Sequence, residues 1–238
     1  MPRPRRYDAA VRERLLKDAA MIAATEGPLA LSARRLATQS GTTTAAIYTL
    51  FGGMDSLRAA LTAQALQDLG SSLEAVAKDG NPADRLLALA HAYRTWALEH
   101  PNEYRSILSD ALGLAVRRAP AGAPRAAAAA PTVPITAPDV FLDSVDEAWH
   151  VSLAPLSEAF EAGLADGTFS GPASDAAALA VTVWASLHGI VSLELVGVLD
   201  PTLARLGGDA GADRFFEDAL GRLIAGLEVP APSRGAHA

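Results

Sequence analysis

Apolar residues in this chain recur at the three-and-four spacing of a helix and almost nowhere at the alternation of a strand. Val11, Leu15, Ala19, Ile22 and Ala23 form one stripe across residues 8–26. Leu57, Leu61, Ala65 and Leu69 form another. Spacings of three and four put side chains on one face of a helix, whereas a half-buried strand would alternate. With no convincing strand run and no internal repeat, the expected fold class is all-α. Half of the 238 residues are apolar, enough to bury a sizeable core.

Breakers divide the pattern into segments. Gly27-Pro28 stops the first helix, and Ser32 stands where an N-cap would precede a second, short helix that Ser40-Gly41 ends. A third starts at Thr43 or Thr44 and stops at Gly52-Gly53, and Asp55 is expected to cap a long fourth helix to about Lys78. After the turn Asp79-Gly80-Asn81-Pro82, helices are expected over about 83–99, 103–116, 140–166, 175–197 and 213–227. Residues 117–138 hold five prolines and a five-alanine run and are expected to be a flexible connector; the tail 229–238 is expected to be disordered.

Charge is unevenly placed. The chain carries a net −7, yet residues 1–58 hold nine Lys/Arg against five Asp/Glu, a surplus of +4 on an otherwise acidic chain. A basic head on an acidic body suggests two jobs. There are no cysteines, so disulfides and thiolate metal sites are excluded, and a cytoplasmic setting is expected. The start MPRPRRYD has no apolar stretch behind its arginines, so no secretory signal is expected. No apolar run reaches membrane-spanning length without a charge or helix breaker, so no membrane is expected as a partner. His91, His100, His150, His188 and His237 show no metal-binding spacing; Ser109-Asp110 has no elbow motif around it; Gly207-Gly208 follows no strand. No catalytic residue, metal or cofactor is expected, and the chain is not expected to be an enzyme.

The stretch GTTTAAIYTLFGG, Gly41 to Gly53, is a short helix with a polar start, an apolar back and a hard stop. Joined to the preceding short helix through Ser40-Gly41-Thr42, it makes a helix-turn-helix pattern. The second helix of that motif lies in the DNA major groove with its N-terminal residues at base edges. Threonine hydroxyls and methyls suit bases and phosphates, with Ile47 turned to the core.

Residues 31–57, LSARRLATQSGTTTAAIYTLFGGMDSL, resemble the DNA-binding region of the tetracycline-repressor (TetR) family of bacterial regulators. The resemblance rests on the Leu-Ala pair of the second helix, the glycine in the turn, and Ile-Tyr-x-x-Phe followed by a glycine break and Leu. It implies that Thr43 caps the recognition helix and contacts phosphate, that Thr44, Ala45 and Thr49 face bases, and that Tyr48 reaches the backbone. With Arg5 and Arg6 along the DNA, and Ser32 and Thr42 at the motif's turns, these make the expected DNA-binding set. Leu50 and Met54 stand where the family commonly has His or Tyr and Lys, which touch phosphate.

The second half contains WASLHG, Trp184 to Gly189, in a helix apolar almost all round. It resembles the Trp-His-Gly type of C-terminal domain found in one branch of the family. The resemblance implies a homodimer through about 175–197 and 213–227 and a small-molecule effector pocket. Tyr93, Trp96, Tyr104, Leu108, Trp149, His150, Leu153 and His188 are its candidate lining, since buried Trp and Tyr join apolar area to one polar handle. The expected organisation is a three-helix DNA-binding domain over 1–54 and a larger helical effector-binding and dimerisation domain over 55–228. The expected function is a regulator of a pseudo-palindromic double-stranded operator, a repressor released by a small apolar effector. The alternative is a helical interaction or ligand-binding module with weak or lost DNA binding.

Overall fold

The computed structural model describes residues 9–107, 139–172, 175–208 and 211–227. Arg5, Arg6, Leu108, the 117–138 stretch and the tail from 229 lie outside them. The described residues are helical, with no strand among them beyond an isolated bridge at Phe169. They fall into two compact units, one within Met1–Asp68 and His100–Val151, the other within Leu69–Glu99 and Ser152–Ala238.

The first unit holds α1 (Ala9–Glu26), a 3-10 turn (Pro28–Ala30), α2 (Ala33–Gln39), α3 (Thr44–Phe51) and the first part of α4 (Met54–Glu74). Helix α6, described over 101–107, and the start of α7 (Asp139–Asp166) also belong to it. Its core is Leu15, Ala19 and Ile22 of α1, Leu36 and Ala37 of α2, Ala46, Ile47 and Phe51 of α3, and Leu57 of α4. The helix ends follow local chemistry. Ser32 Oγ accepts the Arg35 N–H at 3.3 Å, closing the start of α2. At the end of α2 the chain reverses through Gly41 at φ 60°, and the Thr42 N–H reaches the Ala37 carbonyl at 2.9 Å. Gly52 at φ 81° ends α3 in the left-handed conformation that other residues reach at a cost. Helix α4 starts two residues earlier than an Asp55 cap implies: the Gly53 carbonyl accepts the Leu57 N–H at 3.2 Å, and Asp55 lies inside the first turn. There it favours the positive end of the helix dipole without capping it.

The second unit holds the end of α4, α5 (Pro82–Glu99), the rest of α7, α8 (Ala176–Leu195), α9 (Leu199–Arg205) and α10 (Ala212–Ala225). Asn81 Oδ1 accepts the Ala83 N–H at 2.8 Å to start α5. Buried Leu86, Leu89, Tyr93 and Trp96 of α5 join Val183, Leu187 and Val191 of α8 and Phe216, Leu220 and Ile224 of α10 in the unit's core. Helix α9 is absent from the sequence reading. Pro201 sits in its first turn, where its missing N–H is no loss. Asp200 Oδ1 accepts the Ala212 N–H at 2.8 Å, tying α9 to the start of α10.

Helix α8 runs unbroken through Gly189 for 20 residues and is, by length and composition alone, apolar enough to cross a membrane. Val181 and Leu193 are exposed on it.

Phe169 folds back on α7, its N–H donating to the Gly163 carbonyl at 2.9 Å and its ring 5.4 Å from Phe160. A Cβ on Gly163 would stand 2.2 Å from Phe169 Cδ2 and 3.1 Å from Pro82 Cβ. Both neighbours are buried. Gly163→Ala should therefore lower unfolding free energy by roughly 1–3 kcal/mol or more, as overpacking does, read by urea denaturation.

Candidate nucleic-acid interface

An eight-residue helix presents two opposed faces here. Ala46, Ile47 and Phe51 of α3 are buried in the first unit's core, while Thr43, Thr44, Ala45, Tyr48 and Thr49 are exposed. Tyr48 is 57 % exposed. The exposed face carries no acidic side chain. Thr43 is extended at the N-cap position but makes no side-chain capping bond. The Thr49 hydroxyl donates to the Ala45 carbonyl at 2.8 Å. Its proton is thus engaged, and it offers a base edge its lone pairs and its methyl. Ser32 is exposed, and its hydroxyl, already accepting from Arg35, still has a proton to donate. Thr42 is half-buried.

The basic residues divide into two groups. Arg12 lies over the Phe51 ring at 5.0 Å, joining α1 to α3. Arg35 pairs with Glu26 at 2.6 Å and donates to Gln39 at 3.0 Å, joining α1 to α2. The Glu26 hydrogen bond holds its pKa above the ordinary value. Arg58 donates to the Leu31 carbonyl at 2.8 Å, joining α4 to the start of the motif. These three hold the unit together. Arg14, Lys17 and Arg34 are exposed. None of these three is in the expected DNA-binding set; what separates Arg34 from Arg35 is Glu26, nine residues back from Arg35.

Leu50 and Met54 are partly buried and pack against the core. Apolar residues at these positions extend the core where the family pattern leads to phosphate.

The expected effector residues are split between the two units. Tyr93, Trp96, Leu153 and His188 lie in the second; Tyr104, Trp149 and His150 lie in the first. Tyr93, Trp96 and Tyr104 are buried, Leu153, Trp149 and His188 half-buried, and His150 exposed. In the second unit the Tyr93 hydroxyl lies 2.9 Å from His188 Nδ1, and Ser192 Oγ lies 3.2 Å from Nε2. Each ring nitrogen thus meets a hydroxyl that can donate or accept, and Trp184 packs on the ring at 5.4 Å. In the first unit a cleft of about 90 Å³ lies among Ala20, Leu61, Gln64, Asp68, Glu103 and Ser106. It contains none of the expected effector residues. Beside it Asn102 Nδ2 donates to the Ala24 carbonyl, joining α6 to the end of α1. Among the described residues no group of His, Asp and Glu is arranged to hold a metal.

Comparison with known proteins adds to this geometry. Residues 15–61 match the family described as bacterial regulatory proteins, tetR family. Residues 86–223, more than half of the chain, match the tetracyclin repressor-like C-terminal domain. The chain belongs to the TetR family. As a TetR-family protein it is a DNA-binding transcriptional regulator of the helix-turn-helix type, with a larger helical C-terminal domain. An uncharacterized HTH-type transcriptional regulator of Mycobacterium tuberculosis is 29 % identical over 217 residues, spanning 91 % of this chain and 81 % of that one. A Rhodococcus sp. RHA1 structure of unknown function is 25 % identical, with a TM-score of 0.67 over 96 % of this chain and all of that one. The TetR-family regulator PfmR of Thermus thermophilus, 18 % identical, shares the fold, with a TM-score of 0.57 over 94 % of this chain and 98 % of its own.

These contacts lead to two expected outcomes. Met54→Lys should trade modest packing for one phosphate contact per subunit, the lysine stem still covering apolar surface. The slope of log affinity against log salt should steepen by about 0.9 per contact, up to about 1.8 for a dimer. Fluorescence anisotropy at several salt concentrations reads it, with operator and random duplex gaining alike. The second concerns His188, whose pKa is lowered by burial. Above about 6.5 the imidazole is neutral folded or unfolded, and stability does not depend on it. As pH falls below that, the unfolded chain takes up the proton first, and stability is lost down through the folded value. Glu158, held low by Lys78 and then Arg85, acts only below the usual carboxylate range. His188→Gln should therefore flatten the fall in Tm between about pH 6.5 and pH 5 and leave the more acid limb unchanged.

Proposed function

We infer that this chain is a repressor that reads a pseudo-palindromic operator as a homodimer and lets go when a small apolar effector binds. The observation that carries the DNA reading is the exposed face of α3, hydroxyl-rich and free of acid, on a helix whose other face is locked into a core. Thr43 and Tyr48 would meet phosphate and Thr44, Ala45 and Thr49 base edges, with Ser32, Thr42, Arg5 and Arg6 on the backbone. This assigns residues 1–54 to DNA and 55–228 to dimerisation and effector. A cytoplasmic location goes with the role.

The dimer reading rests on α8. Val181, Ala185, Gly189 and Leu193 follow at intervals of four and are exposed. Nothing lies within 4 Å of a Cβ built on Gly189. A ridge at this spacing, with a gap at its centre, interlocks with its own copy across a two-fold axis. With α10 beside it, about 175–197 and 213–227 would form the joint bundle. Tyr93, Trp96 and His188, with Tyr104, Leu108, Trp149, His150 and Leu153, are the effector candidates. An effector must favour the state with low DNA affinity, or the equilibrium does not move.

Selection of bound duplex from a random pool tests the DNA reading. Two inverted half-sites are expected; a single unrepeated half-site would refute the symmetric dimer. The competing reading, a helical module without DNA binding, rests on Leu50 and Met54 packing inward. A gel shift with random duplex at low salt separates them, since absence of any complex there would favour that reading. An effector should change Trp fluorescence and weaken operator binding over one concentration range, and operator should weaken effector binding by the same factor.

A further inference from the structure

Arg94 of α5 makes charged contacts to two other helices, and nothing in the DNA or effector readings uses it. Its side chain is 13 % exposed. Nε donates to Glu194 Oε2 at 2.9 Å and an Nη donates to Glu194 Oε1 at 2.5 Å, a two-pronged bond to the last turn of α8. The same Nη donates to Asp213 Oδ1 in the first turn of α10. The guanidinium lies 4.9 Å from the centre of the buried Phe216 ring, also on α10. Glu194 is 14 % exposed, so this pair is shielded from salt and water on both sides. Burial opposes the charge, but the Glu194 bond outweighs it and holds the guanidinium pKa above its ordinary value.

One planar group thus joins three helices, and two of them are the helices of the proposed bundle. Arg94 itself bonds within its own unit, whereas the ridge Val181, Ala185, Gly189 and Leu193 is exposed. We propose that Arg94 is the positioning residue of the dimer interface: its fork fixes the register of α8 against α10, and so the shape that a second copy meets. The proposal rests on the reading that the dimer forms through α8 and α10. A ridge-into-groove contact tolerates little sliding, because the packed surfaces have preferred settings. Lysine cannot replace the group, since a point charge cannot bond both Glu194 oxygens and Asp213 in one plane.

The test is sedimentation of the full chain over a range of concentrations, with circular dichroism as the control for helix content. Arg94→Met keeps an unbranched stem against Phe216 and removes every charged bond. It should weaken the dimer about tenfold or more, and Arg94→Lys by less, as couplings within one charged network do. Exchanging the charges, Arg94→Glu with Glu194→Arg, should recover only part of the loss, because the carboxylate at position 94 would then face Asp213 and the Phe216 ring. Val181→Glu on the ridge tests the underlying reading separately: an unchanged dimer there would remove α8 from the interface, and the proposal with it. If Val181→Glu separates the subunits but Arg94→Met leaves dimer affinity within about twofold, the interface stands and the positioning role is overturned. The role is also overturned if Arg94→Met destabilises the monomeric Val181→Glu chain by as much as it weakens the dimer, because Arg94 would then serve only its own unit. Should Arg94→Met fail to fold, Asp213→Asn takes its place, since that carboxylate is 91 % exposed and its loss leaves the Glu194 bond intact. About threefold weaker dimerisation is then expected, and no change would overturn the proposal.

Discussion

An eight-residue helix has no stability of its own in water, because its nucleation cost is spread over too few hydrogen bonds. Helix α3 exists because Ala46, Ile47 and Phe51 are driven into a core with Leu15, Ile22, Leu36 and Leu57. Everything that could read DNA depends on that burial. It fixes which side chains face out, and Gly41 and Gly52 let the backbone turn sharply enough at both ends to keep the helix short. A longer helix would bury more and be more stable by itself. It would also push its polar start away from the turn that places it.

The fold class was legible because apolar stripes such as Leu15, Ala19 and Ile22 of α1 recur at the helical period, and that period is written in the residue order. Ends were legible where one residue type did the work, as Ser32 does for α2. They were misplaced where the chemistry lay a residue away. Asp55 looks like a cap, but the Gly53 carbonyl and the chain reversal through Gly52-Gly53 already start α4. Helix α9 has only seven residues, too few to show a helical period in the sequence.

The candidate interface was legible as a face but not as a charge pattern. The surplus of Lys and Arg in the first 58 residues pointed to nucleic acid, yet Arg12, Arg35 and Arg58 turn inward on Phe51, Glu26 and Leu31. Their partners lie between nine and thirty-nine positions away, beyond any local pattern. The same distance hides the second unit's polar links. Tyr93 and His188 are 95 residues apart, and Arg94 and Glu194 are 100 apart. A sequence read by local spacing shows each as an isolated aromatic or charge.

Three arginines serve one purpose. Arg12, Arg58 and Arg94 each tie one helix to another part of its own unit through a directional contact. Apolar contact is non-directional, so it holds helices together without specifying how far one slides along another. A guanidinium adds direction: it can lie flat on a ring, or reach a carbonyl or both oxygens of a carboxylate, only within a narrow range of positions. Burying such a charge costs free energy, which is why each of these groups has an acceptor or an aromatic face as partner. The cost is the more tolerable in a regulator, whose function depends on how its helices are placed as much as on their staying folded.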